Sequence, residues 1–369
     1  MKNNYKKINL KIGLSVLALA VFVTVIVMFS FRDVKISVSE ENVSLGNVEV
    51  IAENLDIPWE IAFLPNNEML VTERSGNLLH IGNDMKVIKI DGVKHVGEGG
   101  LLGLALHPKF ESNNLIYLYF TSDINGKIEN RVERYKLNLN ANLLEDKMVI
   151  LSGIPGAAFH DGGRIMFGPD GYLYITTGDA ANEALSQDVN SLAGKILRVD
   201  ENGSAPTDNP FGNAVYSYGH RNSQGLAWDE KGRLWSTEHG RSGLQSGFDE
   251  LNLIEKGKNY GWPVVQGDEK AGNLVSPIIQ SGADITWAPA GAVFLEDSIL
   301  FTGLRGEALY EYDLNDKTLK EYFKGQFGRL RAIVLHNDFV YVSTSNKDGR
   351  GSARIGDDKI LKIPAALFD

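Results

Sequence analysis

Six stretches of this chain repeat one pattern: a small turn of Asp, Asn, Gly or Pro, a strand of alternating apolar residues, then a second strand a few residues on. They are "FLPNNEMLVTERSGNLLHI" from Phe63, "LHPKFESNNLIYLYFTS" from Leu106, "FGPDGYLYITTGD" from Phe167, "WDEKGRLWSTEHG" from Trp228, "FLEDSILFTGLRGEALYEYDL" from Phe294 and "LHNDFVYVSTSNKDG" from Leu335. Their spacing of about 40 to 65 residues is at or above the span of a four-stranded propeller blade. A strand pair cannot bury both of its faces alone, so six copies predict an all-β, six-bladed propeller. A pair of β-sandwiches would also give many short strands, but the repeat runs end to end without a domain break. No long amphipathic helix interrupts it. The long gaps between the second and fifth copies read as extended loops, and loops carry function.

Ahead of the repeat, Ile12 to Phe31 are twenty uncharged, mostly apolar residues. As a helix they would span about 30 Å, one bilayer core. Lys2, Lys6, Lys7 and Lys11 precede them, which places the N-terminus in the cytoplasm, and "MFSFRD" offers no small-x-small cleavage site. Residues 1–32 are therefore expected to be a basic stub and an uncleaved transmembrane signal anchor, with the body on the extracytoplasmic face of the membrane. A long cleaved signal peptide, releasing a secreted body, is the alternative. Residues 33–47 are polar and aperiodic and read as a tether; residues 48–369 form the propeller domain. Taking the five positive charges of residues 1–32 from the net charge of −10 leaves −15 on the remainder, which repels phosphate backbones and argues against nucleic acid as a partner. There is no cysteine, which excludes disulfides, thiolate metal sites and a lipidated cysteine.

The unusual polar residues gather in the gaps. Glu98 lies in "VGEGGLLGLALHP"; His160, Asp161 and Arg164 in "FHDGGR"; Arg221 and Asn222 in "SYGHRNSQGLAW". Gly240, Arg241, Asp249 and Glu250 follow in "STEHGRSGLQSGFDELNLI", with Tyr260 in "NYGWP". Arg305 lies in "TGLRGE", Arg329 and Arg331 in "FGRLRAI". In a propeller, loops of one parity converge at one end of the axis, so arginines from several blades would form a cationic funnel in an acidic protein. Any one of them alone reads as a solvated surface residue, and His160 alone as a hydrogen-bonded structural histidine. Together, in corresponding loops, they read as an anion site. Asp161 could orient His160 or cap its turn, and the turn is the expectation.

"GEGGLLGLALHP", "HDGGR", "GHRNSQGLAW", "DELNLI" and "NYGWP", in this order, resemble the soluble quinoprotein aldose dehydrogenases, the glucose/sorbosone dehydrogenase family. The resemblance runs from Leu55 to about residue 345. It implies a six-bladed propeller holding pyrroloquinoline quinone (PQQ) and calcium, which oxidises aldose sugars at C1 to lactones by hydride transfer to the quinone. It implies His160 as general base, the glycines after it allowing close approach of ligand, and Arg221 and Asn222 at the quinone oxygens. Arg305, Arg329 and Arg331 would hold the carboxylates, with a hydrogen bond from Thr286. The carbonyls of Gly240 and Arg241 would hold a calcium ion that acts as Lewis acid, and Glu250 with the carbonyl of Tyr260 a second, structural one. The partners implied are an aldose, an external electron acceptor (a quinone pool or a redox protein) and the membrane.

There are departures from the family's pattern. Glu98 stands where a glutamine contacts the cofactor, and a carboxylate beside a tricarboxylate is repulsive unless it is protonated, calcium-bound or paired with an arginine. Arg241 replaces a common proline, and Arg305 a lysine. Two other functions compete: a non-catalytic propeller binding an anionic ligand, against which His160 argues, and a calcium-dependent lactonase. The lactonase would need a carboxylate and Asn cluster on the axis, without the arginine set.

Overall fold

A computed structural model describes residues 38–41, 48–241 and 246–368. The expected signal anchor in residues 1–32 lies outside the described residues. Among those described, no helix is long and apolar enough to cross a membrane.

The described strands form six sheets, each antiparallel within its own repeat. The first strand of each sheet lies innermost: Pro58–Phe63, Leu101–Leu106, Ile165–Phe167, Ser223–Trp228, Pro289–Leu295 and Leu330–His336. Neighbouring sheets pack through these inner strands, helped by Leu173–Thr177 between the third and fourth, and the sixth sheet packs on the first. The ring is closed: this is the six-bladed propeller that the repeat predicts. Its last blade is completed from the other end of the chain, where Glu49–Ala52 pairs antiparallel with Ile360–Pro364. Val38–Glu41, inside the segment read as tether, adds a parallel strand to Leu319–Tyr322 at the edge of the fifth blade.

Each copy of the repeat begins at the turn out of an inner strand, so its first strand is the second of the blade. That strand is buried on both faces, as in Leu173–Thr177, because a blade is covered on each side by its neighbours. Its hydroxyl residues join the blades. Thr72, Thr237 and Thr302 each donate across to a carbonyl of the next inner strand, at 2.6 Å to Leu102, Ala290 and Arg331 respectively. Ser343 reaches Pro58 O at 3.1 Å and closes the ring. Each such bond contributes about 1 kcal/mol net, and the apolar clusters between blades contribute far more. One of these holds Trp59, Leu102, Tyr117, Ile165 and Leu173.

One expectation is corrected. The gap between the second and third copies is not an extended loop: Lys127–Asn138 and Leu143–Pro155 form a long outer hairpin of the second blade. Their mixed, half-exposed pattern suits an outer edge that needs burial on one side only.

Candidate active site

Antiparallel pairing places the entry to each inner strand, and the connection between the second and third strands, at the same end of the axis. The unusual polar residues lie in those connections. Glu98, His160, Arg221, Thr286 and Arg329 precede inner strands; Asp179, Gly240, Arg305 and Arg350 follow second strands. All of these but Asp179, which pairs with His160, line a cavity of about 630 Å³.

His160 holds the turn into the third blade in a left-handed conformation, φ 63°, which costs a non-glycine residue about 1–3 kcal/mol. Its N–H donates to Glu98 Oε2 (3.0 Å) and its carbonyl accepts from Ala180 N–H (3.2 Å). Only glycine fits at 178, where a Cβ would come within 1.8 Å of that carbonyl. His160 Nδ1 lies 2.7 Å from Asp179 Oδ1. A carboxylate can only accept, so Nδ1 carries the hydrogen and Nε2 keeps its lone pair. Asp179 is itself held by Trp262 Nε1–H (2.9 Å) and Ala181 N–H (2.9 Å). Asp161, the neighbour in sequence, caps the turn as expected: it accepts from Ala157 N–H (3.2 Å) and Asn130 Nδ2–H (2.9 Å). Burial pushes its carboxyl up to about 6. Packing alone demands the glycines after His160, since a Cβ at 162 would meet Thr176 O at 2.6 Å and one at 163 would meet Leu102 Cδ1 at 2.8 Å.

Glu98, His160 and Arg221 line the cavity on one side, Thr286, Arg305 and Arg329 on another, and Gly240 and Arg241 between. Arg331 and Arg329's partner Asp348 line a smaller adjoining cavity of about 190 Å³ that shares Glu98 and Arg350 with the first. Asn222 is buried behind the wall; its Oδ1 accepts from Gly162 N–H (3.0 Å) and its Nδ2 has no partner among the described residues. Glu250 and Tyr260 flank a further small cavity with Glu238. Glu250 lies directly opposite Glu238 across a strand pair, and burial, then that carboxylate, raise its pKa.

The cations outnumber the anions at this end. Arg329 forks onto Asp348 Oδ2 through Nε (2.9 Å) and Nη2 (2.8 Å), and Arg331 lies 3.8 Å from the same oxygen. Burial, and then Arg74, hold Arg331 down at about 9. Arg305 is exposed and donates to Ser246 Oγ (2.8 Å). The Thr286 hydroxyl donates to Asp249 Oδ2 (2.7 Å), which also takes Trp287 and Ala288 N–H. Glu98 is paired with an arginine: Arg350 Nη1 lies 2.5 Å from its Oε1. Burial would raise this carboxyl, but Arg350 and the His160 N–H bring it down to about 2.

Residues 55–356 match the family described as Glucose / Sorbosone dehydrogenase. The chain belongs to the glucose/sorbosone dehydrogenase family. It is 33% identical over 296 residues to quinoprotein glucose dehydrogenase B of Acinetobacter calcoaceticus, covering 69% of this chain and 60% of that one. It is 37% identical over 234 residues to an aldose sugar dehydrogenase of Escherichia coli K12, covering 59% and 62%. The chain thus spans about three fifths of the length of these curated relatives. Among solved structures, the PQQ-bound aldose sugar dehydrogenase of Streptomyces coelicolor superposes with a TM-score of 0.80 at 39% identity, over 86% of this chain and 97% of that one.

Sequence reasoning about this glucose/sorbosone dehydrogenase family member missed the partner of His160 and three residues that line the cavities. Asp179 ends "TTGD" and carries the same signal as Asp161, an acid beside a turn; only the fold tells which of them meets His160. His239, in "STEHG", lines the cavity with Nε2 unpartnered among the described residues, and burial holds it down at about 4. Asp348 and Arg350 lie where the sixth copy of the repeat runs out, and nothing local in that polar loop points inward.

Proposed function

We propose that this chain is a dehydrogenase that uses PQQ and calcium to oxidise aldose sugars at C1 to lactones. The observation that carries the reading is the His160–Asp179 pair set in a cavity ringed by Arg221, Arg241, Arg305, Arg329 and Arg350. Family membership supports it.

The residues fit a planar tricarboxylate. Arg329 and Arg331 share a single carboxylate, Asp348, so positive charge is left over for ligand carboxylates, with Arg305 beside them. Asn222 Nδ2 and His239 Nε2 are buried nitrogens without partners among the described residues, the kind of group that a bound ligand satisfies. Arg221 and Asn222 are assigned to the quinone oxygens, Thr286 to a further contact, and the carbonyls of Gly240 and Arg241 to the catalytic calcium. Carbonyl oxygen suits this hard cation. Glu250 facing Glu238 fits the second calcium, with the Tyr260 carbonyl, because like charges directly opposite on paired strands destabilise each other. When bound, the quinone supplies a two-electron acceptor and calcium a Lewis acid.

The chain's own part is proton removal. His160 Nε2 takes the proton of the C1 hydroxyl, and Asp179 stabilises the imidazolium that results. Trp262 and Ala181 keep Asp179 aimed. Arg221, over the Trp262 ring at 5.3 Å, opposes negative charge that develops in the cavity. Residues 1–32 belong to the proposal as an anchor that keeps the body on the extracytoplasmic face, near an external electron acceptor; membrane fractionation with protease protection tests it, and a protease-shielded body counts against it.

Reconstitution tests the activity. The purified protein is stripped of metal with a chelator, given PQQ and calcium, and offered a panel of aldoses with an electron-acceptor dye. Sugar-dependent dye reduction that needs both additions is the expected result. Quinone binding without turnover would indicate the non-catalytic propeller instead.

A further inference from the structure

Glu98 and Arg350 stand 252 residues apart in the chain and meet at the rim of the cavity beside His160. Two hydrogen bonds staple the glutamate's segment to the turn that carries His160. Glu98 N–H donates to Ala158 O (2.9 Å), and Glu98 Oε2 accepts from His160 N–H (3.0 Å). The approach is so close that a Cβ at Gly97 would lie 2.0 Å from Ala158 O. His160 occupies a left-handed conformation that residues other than glycine seldom adopt, and the neighbours that hold the turn also set the direction of its imidazole. An ionised acceptor holds an N–H more firmly than an amide does. The same ion would repel an anionic ligand, and here Arg350 cancels it. Arg350 is fixed in turn, its N–H donating to Asp348 Oδ1 (3.0 Å) and its guanidinium lying 5.6 Å from the Phe159 ring.

We propose that Glu98 is a positioning residue for His160 and that Arg350 is its dedicated counter-charge, which together allow a carboxylate to sit against a site for a tricarboxylate. The inference rests on the dehydrogenase reading above and deepens it. It assigns the two residues separable effects: Glu98 acts on turnover through the His160 turn, and Arg350 acts on quinone affinity through Glu98.

The test is a set of variants in the full chain, stripped of metal and titrated with PQQ and calcium, with binding followed by tryptophan fluorescence. Arg350→Gln is expected to weaken quinone binding by about tenfold, because the Glu98 carboxylate then faces the ligand unshielded. Adding Glu98→Gln to that variant is expected to restore affinity to near that of the parent. Glu98→Gln alone leaves a weaker, uncharged acceptor for the His160 N–H and is expected to lower kcat by a few-fold, whereas Glu98→Ala, with no acceptor, lowers kcat by about tenfold or more with the sugar KM unchanged. Parental affinity in Arg350→Gln, or a double variant no better than the single, overturns the counter-charge. Parental kcat in Glu98→Ala overturns the positioning role. If the parent itself binds no quinone, the dehydrogenase reading fails and this inference falls with it.

Discussion

At one end of the propeller axis the inner strands begin, and a cavity of about 630 Å³ lies among Arg221, Arg305, Arg329 and Arg350. At the other end they finish, and a cavity of about 570 Å³ is walled by Ile61, Phe63, Leu106, Phe167, Ile333 and Leu335. Between the two sits a polar plug. The Arg164 guanidinium pairs with Glu60, lies 4.3 Å over the Trp59 ring and donates through Nε to Gln224 O (2.9 Å); Arg331 donates to Gln224 Oε1 (3.1 Å). The apolar end is made by strand residues that must fill the space between blades. The cationic end is made by connections that carry no such duty, so their side chains can serve a ligand.

The largest expected break in this contrast is at the cationic end. His160→Ala should lower sugar-dependent dye reduction by about 10²–10⁴-fold while leaving quinone binding by fluorescence titration in place. A mutant with the parental rate would remove the base from the mechanism.

The plug comes next. Arg164→Ala strands Glu60 in the interior without its cation and should cost about 3–5 kcal/mol, read from the chemical denaturation midpoint. An unchanged midpoint would mean that water reaches Glu60.

Asp161 sharpens the contrast through pH. Its folded pKa of about 6 lies above the ordinary aspartate value of 3.8, so the fold binds the proton more tightly than the unfolded chain does. Its contribution is most favourable below about pH 4, fades as pH rises towards 6, and above that leaves a deficit of roughly 3 kcal/mol. Asp161→Asn, whose Oδ1 can still accept from Ala157 and Asn130, should therefore gain melting temperature relative to the parent as pH goes from 4 to 7. A difference that stays flat across that range would contradict the raised pKa.

The smallest effect belongs to the apolar end. Leu335→Ala should cost roughly 1–2 kcal/mol and leave turnover unchanged, because nothing at that end touches the chemistry. A fall in kcat there would show that the plug transmits strain along the axis.

The blades were legible because their second strands alternate under a fixed packing demand: "LYITT" and "LWSTE" can be buried on both faces only between neighbours. His160 and the arginines were legible as a set, since their loops share one parity. The link from Glu98 to Arg350 was not. It depends on how the second and sixth blades meet around the ring, and no periodicity carries that register. The choice between Asp161 and Asp179 was hidden for the same reason: adjacency in sequence favoured one, and the return of a strand brought the other. The outer hairpin of the second blade was hidden by composition, because its charged, half-exposed strands look like loop.

The strand that completes the last blade has a consequence for how the molecule is made. Glu49 and Lys362, joined at 3.1 Å, are 313 residues apart in the chain. Glu49–Ala52 therefore emerges from the ribosome among the first residues of the domain and waits for almost all the rest before its hydrogen bonds can form. Until then the ring is an open arc, with the faces of its first and last blades uncovered. Moving those four residues to follow Phe368, by a rearranged gene, would let the sixth blade complete its own sheet from one continuous stretch of chain.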